Sequence, residues 1–202
     1  TNVTFNNPKL AAFSTTYTQT ISGVLTLTHG ILKGNASNPI CLTADATIVG
    51  GSPESYINGT VEKEGSADFH FPIGGNDRYA PIEISDSPAS AVYRASYYSA
   101  KPNYQDSLPT QVNRISTKEY WKLERASGSG TPKVSLYWMN RNYSGLQDLE
   151  VASVVLYNAN RWTRQGETSL SNVRYLDGHV NDTLKGYVTT STRIDAPGMI
   201  TF

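Results

Sequence analysis

Hydrophobic and polar residues alternate along most of this chain with a period of two, the repeat of a strand, and no stretch holds the three-to-four spacing of a helix. In Val134-Ser135-Leu136-Tyr137-Trp138 the alternation sets Val134, Leu136 and Trp138 on one face. Trp121 and Leu123 alternate in the same way with Tyr120, Lys122 and Glu124. The pattern predicts strands over 68–72, 79–85, 91–98, 117–125, 133–139, 151–157, 161–164 and 185–190. Turn clusters separate them, among them Gly74-Gly75-Asn76-Asp77, Ser127-Gly128-Ser129-Gly130 and Asn158-Ala159-Asn160. Regular strands with polar turns point to two packed antiparallel sheets.

The first 65 residues read differently. Gly23–Thr28 and Ile31–Gly34 flank a turn at His29-Gly30, followed by Ile40–Thr43, Ala46–Val49 and Ser55–Glu64. These short apolar strands, closed by Gly or Asn, repeat at roughly 17 residues, as stacked rungs would. A flat antiparallel sheet is the competing reading. Composition shifts at the same place: only Phe5, Phe13, Tyr17 and Tyr56 are aromatic before Gly65, and every arginine lies beyond residue 77. The expected fold is therefore all-β, with a short β-solenoid-like part over 1–65 packed on an antiparallel β-sandwich over 66–202.

Charge narrows the partners. The 202 residues carry 17 basic and 17 acidic side chains, which offers no basic stripe for nucleic acid. No apolar run approaches the ~20 residues of a membrane helix, so no membrane insertion is expected. No signal-peptide pattern or initiator Met is present, so we expect a mature or excised form. The lone Cys41 has no partner for an internal disulfide, and its apolar neighbours Ile40 and Leu42 suggest a small buried hydrophobe.

Candidate chemistry is sparse. His29, His70 and His179 lack zinc spacing, no acidic calcium loop is present and the Gly-x-Ser-x-Gly elbow is missing. Glu62 and Glu64 share a strand face, where a solvated pair flanked by Lys63 explains them better than the two carboxylates of a glycosidase. No catalytic residue, metal ligand or cofactor is assigned. Aromatic side chains offer a binding reading, because sugar rings stack on exposed Trp and Tyr. Trp162, beside a turn and between Arg161 and Thr163, is expected to be exposed, with Tyr137 and Tyr143 completing a sugar-stacking platform.

Phe71-Pro72-Ile73-Gly74 and Arg78-Tyr79-Ala80-Pro81-Ile82 resemble a stretch of the large secreted surface proteins of the Bacteroidota. Tyr120-Trp121-Lys122-Leu123-Glu124-Arg125, Arg161-Trp162 and the closing Ala196–Phe202 are similar to later landmarks of that pattern, and Ser55–Thr60 resembles the solenoid rungs that precede it. The resemblance implies an extracellular or cell-surface location, often as type IX secretion cargo, and an adhesive or structural role. It also implies O-glycosylation at Ser107 and Thr183, which sit in Asp106-Ser107-Leu108 and Asp182-Thr183-Leu184. In the Phe-Pro-Ile-Gly stretch itself, Gly74-Gly75 are expected to take positive φ in a sharp exit. Two functions follow as expectations. One is a non-catalytic module of a surface protein or fibre, joined by strand pairing to copies of itself or to adjoining modules. The other is a carbohydrate-binding module whose partner is a polysaccharide.

Overall fold

A computed structural model describes residues 1–8, 13–14, 16–103, 108–110, 112–138, 144–145, 153–165, 169–175, 184–189, 194 and 199–202. The alternating runs form strands throughout, and the architecture is all-β. In the first part these are β1 (Val3–Asn6), β2 (Phe13–Ser14), β3 (Gln19–Ile21), β4 (Val24–Lys33), β5 (Ile40–Leu42), β6 (Thr47–Gly50), β7 (Ser55–Asn58) and β8 (Val61–Gly65). Every ladder among them is parallel: β1 and β6 flank the first half of β4, β2 and β7 flank its second half, and β3, β5 and β8 run side by side.

Paired residues lie 19 to 25 positions apart, with Phe13↔Leu32 and Ile31↔Tyr56 as the extremes. The circuit is thus longer than the sequence spacing of about 17 suggests, because polar connections such as 34–39 and 51–54 add length that apolar periodicity does not register. The expected turn at His29-Gly30 is a bend inside β4. Gly30 holds φ at 93° there, and β4 changes neighbours at that point. In-register stacking aligns like with like: Val3, Leu25 and Ile48 form one column, and Phe13, Leu32 and Ile57 another.

The chain then turns antiparallel. Next come β9 (Phe69–Phe71), β10 (Gly74–Gly75), β11 (Arg78–Tyr79), β12 (Ile82–Ser85), β13 (Ala91–Tyr98), β14 (Tyr120–Gly128) and β15 (Lys133–Trp138). They are followed by β16 (Val155–Asn158), β17 (Arg161–Arg164), β18 (Ser169–Tyr175), β19 (Leu184–Thr189) and β20 (Met199–Thr201). One sheet of eight strands runs β17-β16-β20-β14-β13-β8-β5-β3, so the parallel strands continue into the antiparallel ones at the β8–β13 ladder. A second sheet runs β18-β19-β15-β12-β9. The inner faces of both sheets share one apolar core, which includes Ile82 and Leu136 from one side and Tyr93, Trp121 and Leu123 from the other. Trp121 is fully buried, its Nε1–H donating to the Ala80 carbonyl at 2.8 Å and its ring edge-on to Phe202.

Positive φ in the β10–β11 hairpin falls on Asn76 (49°) and Asp77 (60°), not on Gly74-Gly75 as expected. Two successive left-handed residues make the primed turn that matches strand twist, and Asn and Asp tolerate it. Gly74 is needed for proximity instead, since a Cβ there would collide with the Arg78 carbonyl and the Tyr56 ring.

Candidate functional site

The place where parallel stacking ends is also where the surface opens. In a continuing stack the segment after β8 would pair with β6, but β9 leaves to pair with β12. A cleft of about 200 Å³ remains between them, lined by Thr47, Ile48, Gly50, Asp68, Phe69 and His70.

The β9–β12 register sets His70 opposite Glu83. His70 Nδ1 lies 3.0 Å from Glu83 Oε1, and Nε2 lies 2.7 Å from the Tyr79 hydroxyl. A carboxylate only accepts, so Nδ1 carries a proton toward Glu83, and Nε2 and the Tyr79 hydroxyl share the second hydrogen bond. This order of carboxylate, imidazole and hydroxyl has the outline of a nucleophilic relay. The phenol is unsuited to that task. Burial, then the neighbouring Tyr137 and Glu83, push its ionisation far above the ordinary range, so it stays protonated at physiological pH. The three side chains tie β9 to β11 and β12, and His70 among them lines the cleft.

Behind the cleft lies Lys63, on the inward face of β8 and only 4% exposed. Its Nζ donates to the carbonyls of Thr43 (2.9 Å), Ala44 (2.6 Å) and Glu64 (2.7 Å), and it sits 5.5 Å from the Phe69 ring centroid. Burial lowers its pKa, opposed by Asp45 and Glu64. Three backbone acceptors and an aromatic face make it an anchor for the 43–46 turn. On the opposite face of β8, Glu62 accepts from Arg94 Nε at 2.6 Å. Glu62 also stands beside Cys41, which is half-buried rather than fully so because it faces outward on β5. Burial and the Glu62 carboxylate push that thiol up to about 11, so it is not a nucleophile at neutral pH.

A second buried carboxyl belongs to Glu119, 3% exposed, whose Oε2 accepts from the Tyr97 hydroxyl at 2.7 Å. Its Oε1 has no hydrogen-bond partner among the described residues. Burial raises its pKa to about 7, against the pull of Ser144, Tyr97 and Arg78.

Of the expected sugar platform, the two described residues, Trp162 and Tyr137, lie in different sheets. Trp162 is fully buried, against Val112, Ile115 and Val155 and beside Tyr157 at 5.2 Å between ring centroids. This corrects the expectation of exposure. The hairpin β16–β17 pairs Tyr157 with Trp162, and Arg161 and Arg164 take the solvent positions. Tyr137 is half-buried on β15, in the other sheet, with its ring 6.2 Å from Tyr79. Tyr143, Ser107 and Thr183 lie outside the described residues. Sequence reading missed the His70–Glu83–Tyr79 group, which only the β9–β12 register brings together. It read Glu62 and Glu64 as a solvated pair flanked by Lys63 and assigned Lys63 no face, whereas a period of two counted from Val61 sets Lys63 inward.

Comparisons with protein-family models, curated proteins and solved structures give no match to the chain.

Proposed function

We propose that this chain is a non-catalytic structural or adhesive module of an extracellular surface protein or fibre, built as a short β-solenoid over 1–65 running into a β-sandwich over 66–202, and joined to its neighbours by strand pairing. The observation that carries the reading is the first circuit of the stack. Among the described residues β1 and β2 pair only with β4, and β3 only with β5, so three strands at one end keep an outer edge without a strand neighbour. Such an edge is a template for another strand. Immunogold electron microscopy of the producing cells tests the reading. Label on exterior fibres or surface layers is expected, and label confined to the cell interior overturns it.

A second reading, polysaccharide binding through exposed aromatics, is favoured by a different pair from the one expected. Tyr98 and Tyr120 stack on the outer face of the eight-stranded sheet, 4.7 Å apart and 9° from parallel, with Tyr98 39% exposed. Flat aromatic surface of this kind suits a sugar face. A glycan array probed with the wild type and with Tyr98→Ala checks it: binding lost in the variant supports it, and no binding by the wild type removes it.

A further inference from the structure

The parallel sheet that contains β1, β4 and β6 has an outer edge on each side, and the two edges differ in kind. β1 offers one at the start of the stack, and β6 offers the other along the cleft that β9 leaves. We propose that copies of this chain associate head to tail, with β1 of one copy adding parallel to β6 of the next in that cleft. The inference rests on the structural reading above and names its partner, a second copy of this chain.

Four observations converge on it. First, among the described residues neither edge has a strand beyond it. Second, neither edge is charged: β1 reads Val3-Thr4-Phe5-Asn6 and β6 reads Thr47-Ile48-Val49-Gly50. The edge strand β17 instead presents exposed Arg161 and Arg164, the usual protection against added strands. Third, exposed apolar surface gathers at these ends. The large hydrophobic side chains left exposed among the described residues are Val3 (40%), Tyr17 (76%), Val49 (55%) and Tyr98. Of these, Val3 lies on β1, Val49 on β6, and Tyr17 in the connection from β2 to β3. Fourth, the ladder already defines the register. Val3 aligns with Leu25 and Leu25 with Ile48, so one more parallel step sets Val3 of the incoming copy beside Ile48 and Thr4 beside Val49. Different surfaces meet in this contact, which does not close on itself, so it generates a linear filament rather than a dimer.

The test uses the whole chain and two variants, each blocking one edge at an exposed position. Thr4→Lys places a charge on β1, and Val49→Lys places one on β6. Circular dichroism confirms that both keep the wild-type fold. Sedimentation velocity then follows mass against concentration, starting from the 22.1 kDa monomer. The wild type is expected to grow into a ladder of oligomers, each variant alone to stay monomeric, and their equimolar mixture to double in mass and stop. The doubling arises because the free β1 of Val49→Lys meets the free β6 of Thr4→Lys. Dimers of Val49→Lys alone would mean a β1–β1 contact and overturn the head-to-tail geometry. Polymers from both single variants would overturn the use of these edges. A wild type that is monomeric at every concentration would overturn self-association, while the surface-module reading would still stand or fall on its immunolabelling.

Discussion

Between Ile21 and Val61 the hydrophobic core is aliphatic apart from Tyr56, with Leu32 beside Ile57 and Ile40 beside Val61 in register. Beyond Phe69 large rings join the aliphatic side chains: Trp121 against Tyr97 and Phe202, Phe69 edge-on to Phe71, and Trp162 with Tyr157. The contrast follows from geometry. A parallel in-register stack repeats each position above itself, so small similar side chains fit every circuit. Antiparallel sheets that meet face to face bring unlike positions together, and large rings fill the uneven gap. Stacking can be extended at either end, whereas ring packing makes a finite body. The eight-stranded sheet joins the two as one piece.

The largest effect tests whether the two regions melt together. Trp121→Ala removes a fully buried ring and strands the Ala80 carbonyl, and a loss of about 4 kcal/mol is expected from urea unfolding. All three tryptophans lie beyond residue 120, so fluorescence reads the second region and far-ultraviolet dichroism reads both. Coincident midpoints are expected from the β8–β13 ladder. Separate transitions would divide the molecule near Gly65.

Glu119 gives a pH test of the ring-packed region alone. Its ionisation moves from 4.5 in an ordinary setting to about 7 in the fold. The folded state therefore keeps a proton that the unfolded chain releases. Stability from this group is fully present below about pH 4.5, falls by roughly 3 kcal/mol as pH rises to 7, and is flat above. Glu119→Gln should remove that slope and be the more stable protein at pH 8, as urea midpoints at pH 5 and pH 8 would show. An unchanged slope in the variant would assign the pH dependence elsewhere.

The buried charge of the stacked region behaves in the opposite sense. Lys63 donates to three carbonyls, so Lys63→Met keeps the stem but removes those bonds and leaves the Thr43 carbonyl only the Ala46 amide, at about 2 kcal/mol. Loss of protection at the 43–46 turn in amide exchange is the expected signature. A variant as stable as the wild type would show that the carbonyls find other partners.

The smallest effect concerns reactivity. With its thiol at about 11 against an ordinary 9.0, Cys41 should alkylate roughly a hundredfold more slowly than an unperturbed thiol near neutral pH, each unit of pKa being a factor of ten in thiolate. Glu62→Gln should recover part of that rate, and no recovery would leave burial as the whole cause.

Strand identity was legible where alternation is strong. Residues 91–98 and 161–164 match β13 and β17 end to end, and 133–139 matches β15 to within one residue. Two-residue elements such as β10 and β11 carry too little pattern to be read. Arg161-Trp162-Thr163-Arg164 reads as a strand but alternates too weakly to fix a face, since Arg164 shares the period-two face of Trp162, and the burial of Trp162 follows from its pairing with Tyr157. Glu119 and Tyr97 were unreadable as a pair, because their meeting depends on how β14 packs and not on any local spacing. The cleft was unreadable for the same reason: it exists because β9 finds a better partner in β12 than in β6.

That departure also decides where the molecule yields to tension. Circuits two and three are held on three sides at once, by the β3–β5, β4–β6 and β4–β7 ladders. At the next circuit β5–β8 still holds, a single bridge links Ile57 to Ile73, and the β6 side has let go. Under a pull along the stack, opening is expected to begin at the cleft beside β6, where the fewest ladders cross. The extension released by a first break in an optical trap would locate that opening, which acts as the weakest link in a chain of otherwise evenly fastened turns.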